Sequence, residues 1–193
     1  MVTAKPIPLA KLIWANAAPT PPQPIHLAVL GVFGCFVLIG ARQDECGGSV
    51  YYQLFGALGA NVPKPELTRF HQQVNFLTDS IDQGLLSAAK WIGCGGVGAA
   101  LAQMSFAHNL GFEVATDGVL DEARWLFTET PGWVVTLSES HWQALHTLAA
   151  EQGVEVQKIG HTQAAVVGQV NQHRLDLTKA KALWQQGLRK HFT

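Results

Sequence analysis

Between Pro65 and Gly84 the apolar residues Leu67, Phe70, Val74, Leu77 and Ile81 recur at spacings of three and four. That period places them on one face of an α-helix over residues 66–83, which must lay this stripe against a core. Pro65 stands just before the first turn and Gly84 just after the last, the usual asymmetry of helix start and stop. The rest of the chain has to supply the surface that this helix covers. It offers short apolar runs at 25–33, 35–40, 85–92, 112–115, 133–137, 154–159 and 164–170, each bounded by polar, glycine or proline residues. Such runs read as strands. Gly31 and Gly34 between the first two predict a tight hairpin.

Further helices are expected between the strands. Ser49 is a candidate N-cap for a short helix reaching residue 58, and Ser138 for one reaching residue 151, with Gly153 beyond its end. The turn Gly93-Cys94-Gly95-Gly96 opens a helix with Val97, Ala100, Leu101 and Met104 inward. Residues 178–190 form a closing helix with Leu183, Trp184 and Leu188 on one side. Helices and strands interspersed with hairpin-like junctions predict the α+β class: an α/β sandwich with helices on one face of a largely antiparallel or mixed sheet.

The chain's 193 residues fit one domain. The segment Pro19-Thr20-Pro21-Pro22-Gln23-Pro24 cannot be helix or central strand, so residues 1–24 are read as an N-terminal arm and 25–193 as the domain. Hydrophobic residues make up 48% and charged residues 14%, against about 25% charged in ordinary domains. This excludes a disordered chain. A net charge of −1 with no basic cluster argues against nucleic acid as a partner. Few charges and six tryptophans lead us to expect that a partner covers part of the surface; Trp125, Trp133, Trp142 and Trp184 are read as core or interface anchors. Cys35, Cys46 and Cys94 lack the spacing of a disulfide framework or zinc site. The longest apolar run is too short to span a bilayer, and no clear signal peptide precedes it. A cytoplasmic location is expected, with an organellar matrix as the alternative.

Two stretches invite chemical readings. Gly93-x-Gly95-x-x-Gly98, with Asp117 nineteen residues on, matches the dinucleotide fingerprint: glycines admit a pyrophosphate, and the helix start offers free N–H groups. That fingerprint requires a buried strand directly before it, and Ser87, Ala88, Ala89 and Lys90 make a poor one. Glycines serving close helix packing are the structural alternative. In Asp44-Glu45-Cys46-Gly47-Gly48-Ser49, adjacent carboxylates suit Mg²⁺ and phosphate oxygens, and equally suit a solvated turn before a capped helix. The eight histidines form no metal-binding pair, so no metal site is predicted, and no G-x-S-x-G elbow is present.

Taken in order, these segments resemble one family. Ile39-Gly40-Ala41-Arg42-Gln43-Asp44-Glu45-Cys46-Gly47-Gly48-Ser49 is similar to the L-G-E-T-x-x-E-L-G-G-S of the C-terminal domain of phosphoribosylformylglycinamidine (FGAM) synthase, of the AIR synthase-related superfamily. Residues 84–104 resemble G-L-x-x-A-H-D-x-S-D-G-G-L-x-x-A-L-A-E-M. Leu126-Phe127-Thr128-Glu129-Thr130-Pro131-Gly132 resembles L-F-S-E-x-P-G. The resemblance runs from about residue 19 to the end. It implies the fold expected above and, for the family's enzyme, amidation of a formylglycinamide ribonucleotide with ATP and glutamine-derived ammonia, at sites between N- and C-terminal domains. By motif match, Glu45, Gly47, Gly48, Ser49, Gly95 and Gly96 would line a nucleotide or substrate site. Glu129 matches an acidic position without an assigned role. The H-D-x-S-D-G-G motif is degenerate: Lys90, Trp91, Gly93 and Cys94 replace the polar residues while Gly95 and Gly96 remain. Ala41 replaces the glutamate of L-G-E-T.

Three readings therefore stand. The chain is a partial FGAM synthase subunit, using ATP and Mg²⁺ with a partner chain that carries the AIR synthase N-terminal domain. Or it is a non-catalytic structural subunit of a larger assembly. Or it binds a dinucleotide. Homo-oligomerisation is open, and neither nucleic acid nor membrane is an expected partner.

Overall fold

The computed structural model describes residues 34–186. The strand and hairpin expected over 25–33, the arm before it and the last turn of the closing helix, including Leu188, lie outside the described residues. The elements are β1 (Gly34–Ile39), α1 (Val50–Leu54), α2 (Leu67–Asp82), β2 (Ala88–Trp91), α3 (Gly96–His108), β3 (Gly111–Val114), α4 (Glu122–Phe127), β4 (Trp133–Ser138), a 3₁₀ turn (Glu139–His141), α5 (Trp142–Gln152), β5 (Val156–Gln163), β6 (Val167–Val170), β7 (His173–Asp176) and α6 (Leu177–Gln186).

The seven strands form one sheet in the order β2-β4-β1-β5-β3-β6-β7. Every pairing is antiparallel except β3 with β6, which is parallel. The sheet is thus mixed and largely antiparallel, within the expected α+β class. The helices were expected on one face and are found on both. The reason lies in β1, whose six residues are all buried. Its side chains alternate between faces: Phe36 and Leu38 meet α3, α4 and α6, whereas Cys35, Val37 and Ile39 meet α2 and α5. A run of six apolar residues without polar alternation requires cover on both sides. The stripe of α2 buries Val74 and Leu77 on the second face, and α3 turns Val97, Ala100, Leu101 and Met104 to the first, as their spacing predicts.

Two elements escape the sequence reading. The six-residue helix α4 carries Asp121 as N-cap, its carboxylate accepting from Arg124 N. The edge strand β7 is exposed throughout, so it lacks the apolar signal by which the others were recognised. Trp125 and Trp133 are core residues, whereas Trp184 is 59% exposed. Among the described residues no helix is long and apolar enough to cross a membrane.

Candidate functional site

Strand register gathers the motif segments. Ile39 at the end of β1 pairs with Trp133 at the start of β4, and Trp91 at the end of β2 pairs with the same residue. Residues 39–49, the turn Gly93-Cys94-Gly95-Gly96 and the turn Thr130-Pro131-Gly132 therefore meet at one end of the sheet, although up to 93 positions separate them.

Arg42 fixes this junction. It is buried, and its guanidinium donates to Thr130 O (2.6 Å), Pro131 O (3.2 Å) and Gly40 O (3.3 Å). A buried charge is tolerated only when hydrogen-bonded; here three carbonyls take the two terminal amino groups, Nε having no partner among the described residues, and tie the 130–132 turn to the end of β1. Burial lowers the Arg42 pKa to about 10, against the raising influence of Glu45 and Glu155. Glu45 is held on both oxygens, by Lys64 N at 3.1 Å and the Thr130 hydroxyl at 2.9 Å.

Glu129 joins the two glycine turns. Its Oε1 accepts from Val50 N, the first residue of α1, at 3.0 Å, and from Gly95 N, at the start of α3, at 2.9 Å. Ser49 caps α1: its hydroxyl donates to Cys46 O (2.6 Å) and accepts from Tyr52 N (3.3 Å). Gly47 N donates to Asn61 O, Gly48 N to Leu58 O and Gly96 N to Gly93 O. The amides that motif matching assigned to a ligand are thus engaged within the protein. Gly96 shows why glycine stands there: at φ +64°, a Cβ would fall 2.4 Å from Leu126 O and 2.8 Å from Thr128 O. This is the close-packing role weighed for these glycines.

The dinucleotide reading is corrected by the same geometry. The strand before Gly93-x-Gly95-x-x-Gly98 is β2, a four-residue edge strand antiparallel to β4, not a buried strand of a parallel βαβ unit. The fingerprint's amide at Gly95 meets a carboxylate of the protein itself, and Asp117 accepts from Val119 N within its own turn. At the degenerate motif, Lys90 and Trp91 lie on β2. Trp91 sits edge-on to Trp133 and Phe70, with ring centroids 5.1 and 5.7 Å away. Gly93 leaves room for the Trp91 ring, which a Cβ would approach at 3.2 Å. Cys94 is exposed, while Cys35 and Cys46 are buried; burial raises the pKa of both buried thiols, with Glu139 adding to the effect at Cys35 and Asp44 at Cys46.

Beside this junction lies a cleft of about 570 Å³, lined by Gln43, Glu45, Lys64, Phe70, Gln73 and Glu155 among others. A smaller cavity of about 240 Å³ shares Gly40, Ala41, Gln43 and Glu155 with it and adds Arg42 and Asp117. Of the motif-matched residues Glu45 lines the cleft, whereas Gly47, Gly48, Ser49, Gly95 and Gly96 line neither cavity. Mg²⁺ needs near-octahedral oxygen ligands. Asp44 instead pairs with Arg124 at 2.9 Å, Glu45 holds two donors of the protein, and the described residues contain no group of three or more metal-ligating side chains. These residues alone do not fit a Mg²⁺ site. Reading by sequence missed Arg42 and the role of Glu129. Both had a signal: a cation directly after a buried strand, and an acid directly before a Thr-Pro-Gly turn.

The fold and the joined motif segments define a class, an α+β domain whose mixed sheet gathers two glycine turns at one end. Residues 35–172 match the family described as AIR synthase related protein, C-terminal domain, and the chain belongs to that family. It is 29% identical over 160 residues to the phosphoribosylformylglycinamidine synthase subunit PurL of Methanothrix thermoacetophila, covering 79% of this chain and 21% of that protein. To the PurL subunit of Wolinella succinogenes it is 35% identical over 141 residues, covering 69% and 19%. The chain therefore spans about a fifth of the length of these curated relatives. Among solved structures, T. maritima PurL complexed with FGAR superposes with a TM-score of 0.70 at 14% identity, covering 80% of this chain and 29% of that one. The structure of PurLQS from Thermotoga maritima gives 0.65 at 15%, covering 80% and 27%. T. maritima PurL complexed with ATP gives 0.61 at 15%, covering 78% and 26%. At such identities these likenesses concern the fold.

Proposed function

We propose that this chain is a partial subunit of an FGAM synthase-type assembly in purine biosynthesis, contributing one wall of a ribonucleotide site that a second chain completes. The observation that carries the reading is the convergence of residues 39–49, 93–96 and 129–132 at one end of the sheet, with Glu45 lining the adjacent cleft. The PurLQS structure among the solved neighbours supports a protein partner; on this reading that partner carries the AIR synthase N-terminal domain. ATP and Mg²⁺ are the co-substrate and ion implied for that assembly. The Mg²⁺ ligands would have to come largely from the partner and from bound phosphates, because Asp44, Glu45 and Glu129 are engaged within the protein. This chain's part is positional: Arg42 and Glu129 hold the turns, and Glu45 presents a fixed carboxylate to the cleft. The test is synthase activity of the complex with Glu45→Ala. A loss of at least about a hundredfold is expected for a positioned group at a reacting site; unchanged activity would remove Glu45 from the site.

A second reading, a structural subunit without catalysis, is favoured by one specific observation. The glycine-turn amides are taken by Glu129, Asn61 and Leu58, and Trp91 fills an aromatic cluster where the family has a carboxylate. Under that reading a charge introduced at the exposed Trp184 releases a partner while no synthase activity accompanies the complex.

A further inference from the structure

The cleft of about 570 Å³ falls within the ~300–1,000 Å³ of small-molecule sites, and its chemistry is selective. Resting on the ribonucleotide reading above, we propose that this cleft takes the uncharged base end of the ligand, a purine-type ring with hydrogen-bond donors and acceptors, and leaves the phosphates to the partner chain.

Charge weighs against the phosphate end. The ionisable residues of the lining are the carboxylates Glu45, Glu66 and Glu155 against the cations Lys64 and Arg69. Arg69 is held by Glu66 at 3.2 Å and its side chain is 78% exposed, so solvent screens it. A phosphate carrying about −1.5 to −2 would enter a field of its own sign. Two backbone donors of the lining are also taken, Lys64 N by Glu45 and Gly40 N by Glu155 O.

What remains open suits a ring. Gln43, Gln72 and Gln73 line the cleft, and no described group hydrogen-bonds their side-chain amides. Each offers an acceptor and two donors, the complement of a base edge. Phe70 adds a flat apolar wall and is itself fixed, stacked on Trp133 at 5.6 Å and edge-on to Trp91 at 5.7 Å. Stacking on an aromatic side chain accepts any base and asks for no charge.

The experiment is calorimetric titration of the full chain, alone and with any co-purifying chain, using adenosine, inosine, ATP and inorganic tripolyphosphate. Tryptophan emission serves as a second readout, because Trp91 and Trp133 touch Phe70. Adenosine or inosine is expected to bind the chain, with ATP within about threefold of adenosine and tripolyphosphate unable to displace the nucleoside. Phe70→Leu should weaken nucleoside binding by about tenfold. Gln73→Leu should also weaken it, and carries the test if Phe70→Leu does not fold. Displacement by tripolyphosphate, a more than about tenfold preference for ATP over adenosine, or no nucleoside binding in either preparation overturns the assignment. Failure of the earlier reading is distinguishable: it shows as absence of the partner chain, whatever the nucleoside does.

Discussion

Three residues hold the end of the sheet together, each by occupying backbone groups that would otherwise be orphaned. Arg42 answers three carbonyls, Glu129 two amides and Ser49 one of each. Orphaned buried groups cost about 1–3 kcal/mol apiece, so these contacts fix the loop conformations more than they add net stability. The cysteines permit a direct check. Desolvation raises the pKa of Cys35 and Cys46 above 9.0, and Cys94 is exposed. At pH 8 an aromatic disulfide reagent should titrate one thiol of the native protein, that of Cys94, and the other two only after denaturation; equal rates at all three would contradict the packing described. A thiol pKa raised by folding contributes stability that is present below pH 9.0 and lost as pH rises through the folded value. Arg42, with its pKa lowered to about 10, acts oppositely, since folding then favours the neutral form, but only above about pH 10. Between these limits stability should fall with rising pH.

At the scale of elements, the fit of α3 against residues 126–128 depends on Gly96. Gly96→Ala combines a positive φ with a Cβ 2.4 Å from a carbonyl oxygen and should cost about 2–4 kcal/mol, read as a lower urea midpoint. Gly84→Ala is the control: its φ is +69° but nothing lies within 4 Å, so about 1 kcal/mol is expected. Equal losses would show that close approach is irrelevant at Gly96. The helices were legible where the period is strong: α2 lies within one residue of its expected span at each end, because Pro65, Gly84 and the apolar stripe agree. α3 was found from its glycines and small inward residues. α4 was missed because six residues are too few for a period, and β7 because an exposed edge strand has no buried face. Helices cover both faces of the sheet, because the unbroken apolar run of β1 needs cover on two sides.

For the molecule as a whole, the family could be read from the order of the motifs, whereas the convergence at one sheet end could not. Which strands neighbour β1 is set by long-range pairing, and Glu129 lies 79 residues from Val50 and 34 from Gly95. No local pattern encodes such a bond. The resulting domain has a shaped cleft, the amides of Gly47, Gly48, Gly95 and Gly96 are engaged within the protein, and no carboxylate cluster for a metal is present among its described residues. Its surface also carries exposed apolar side chains, with Leu54, Phe55, Leu58 and Leu67 each at least 70% exposed. Both features fit a part that works within a larger assembly. Native mass spectrometry of the complex purified with this chain, with identification of the accompanying polypeptides, tests this most directly. A chain carrying the AIR synthase N-terminal domain in fixed stoichiometry is predicted. A chain that purifies alone, or with members of an assembly unrelated to purine synthesis, would contradict it.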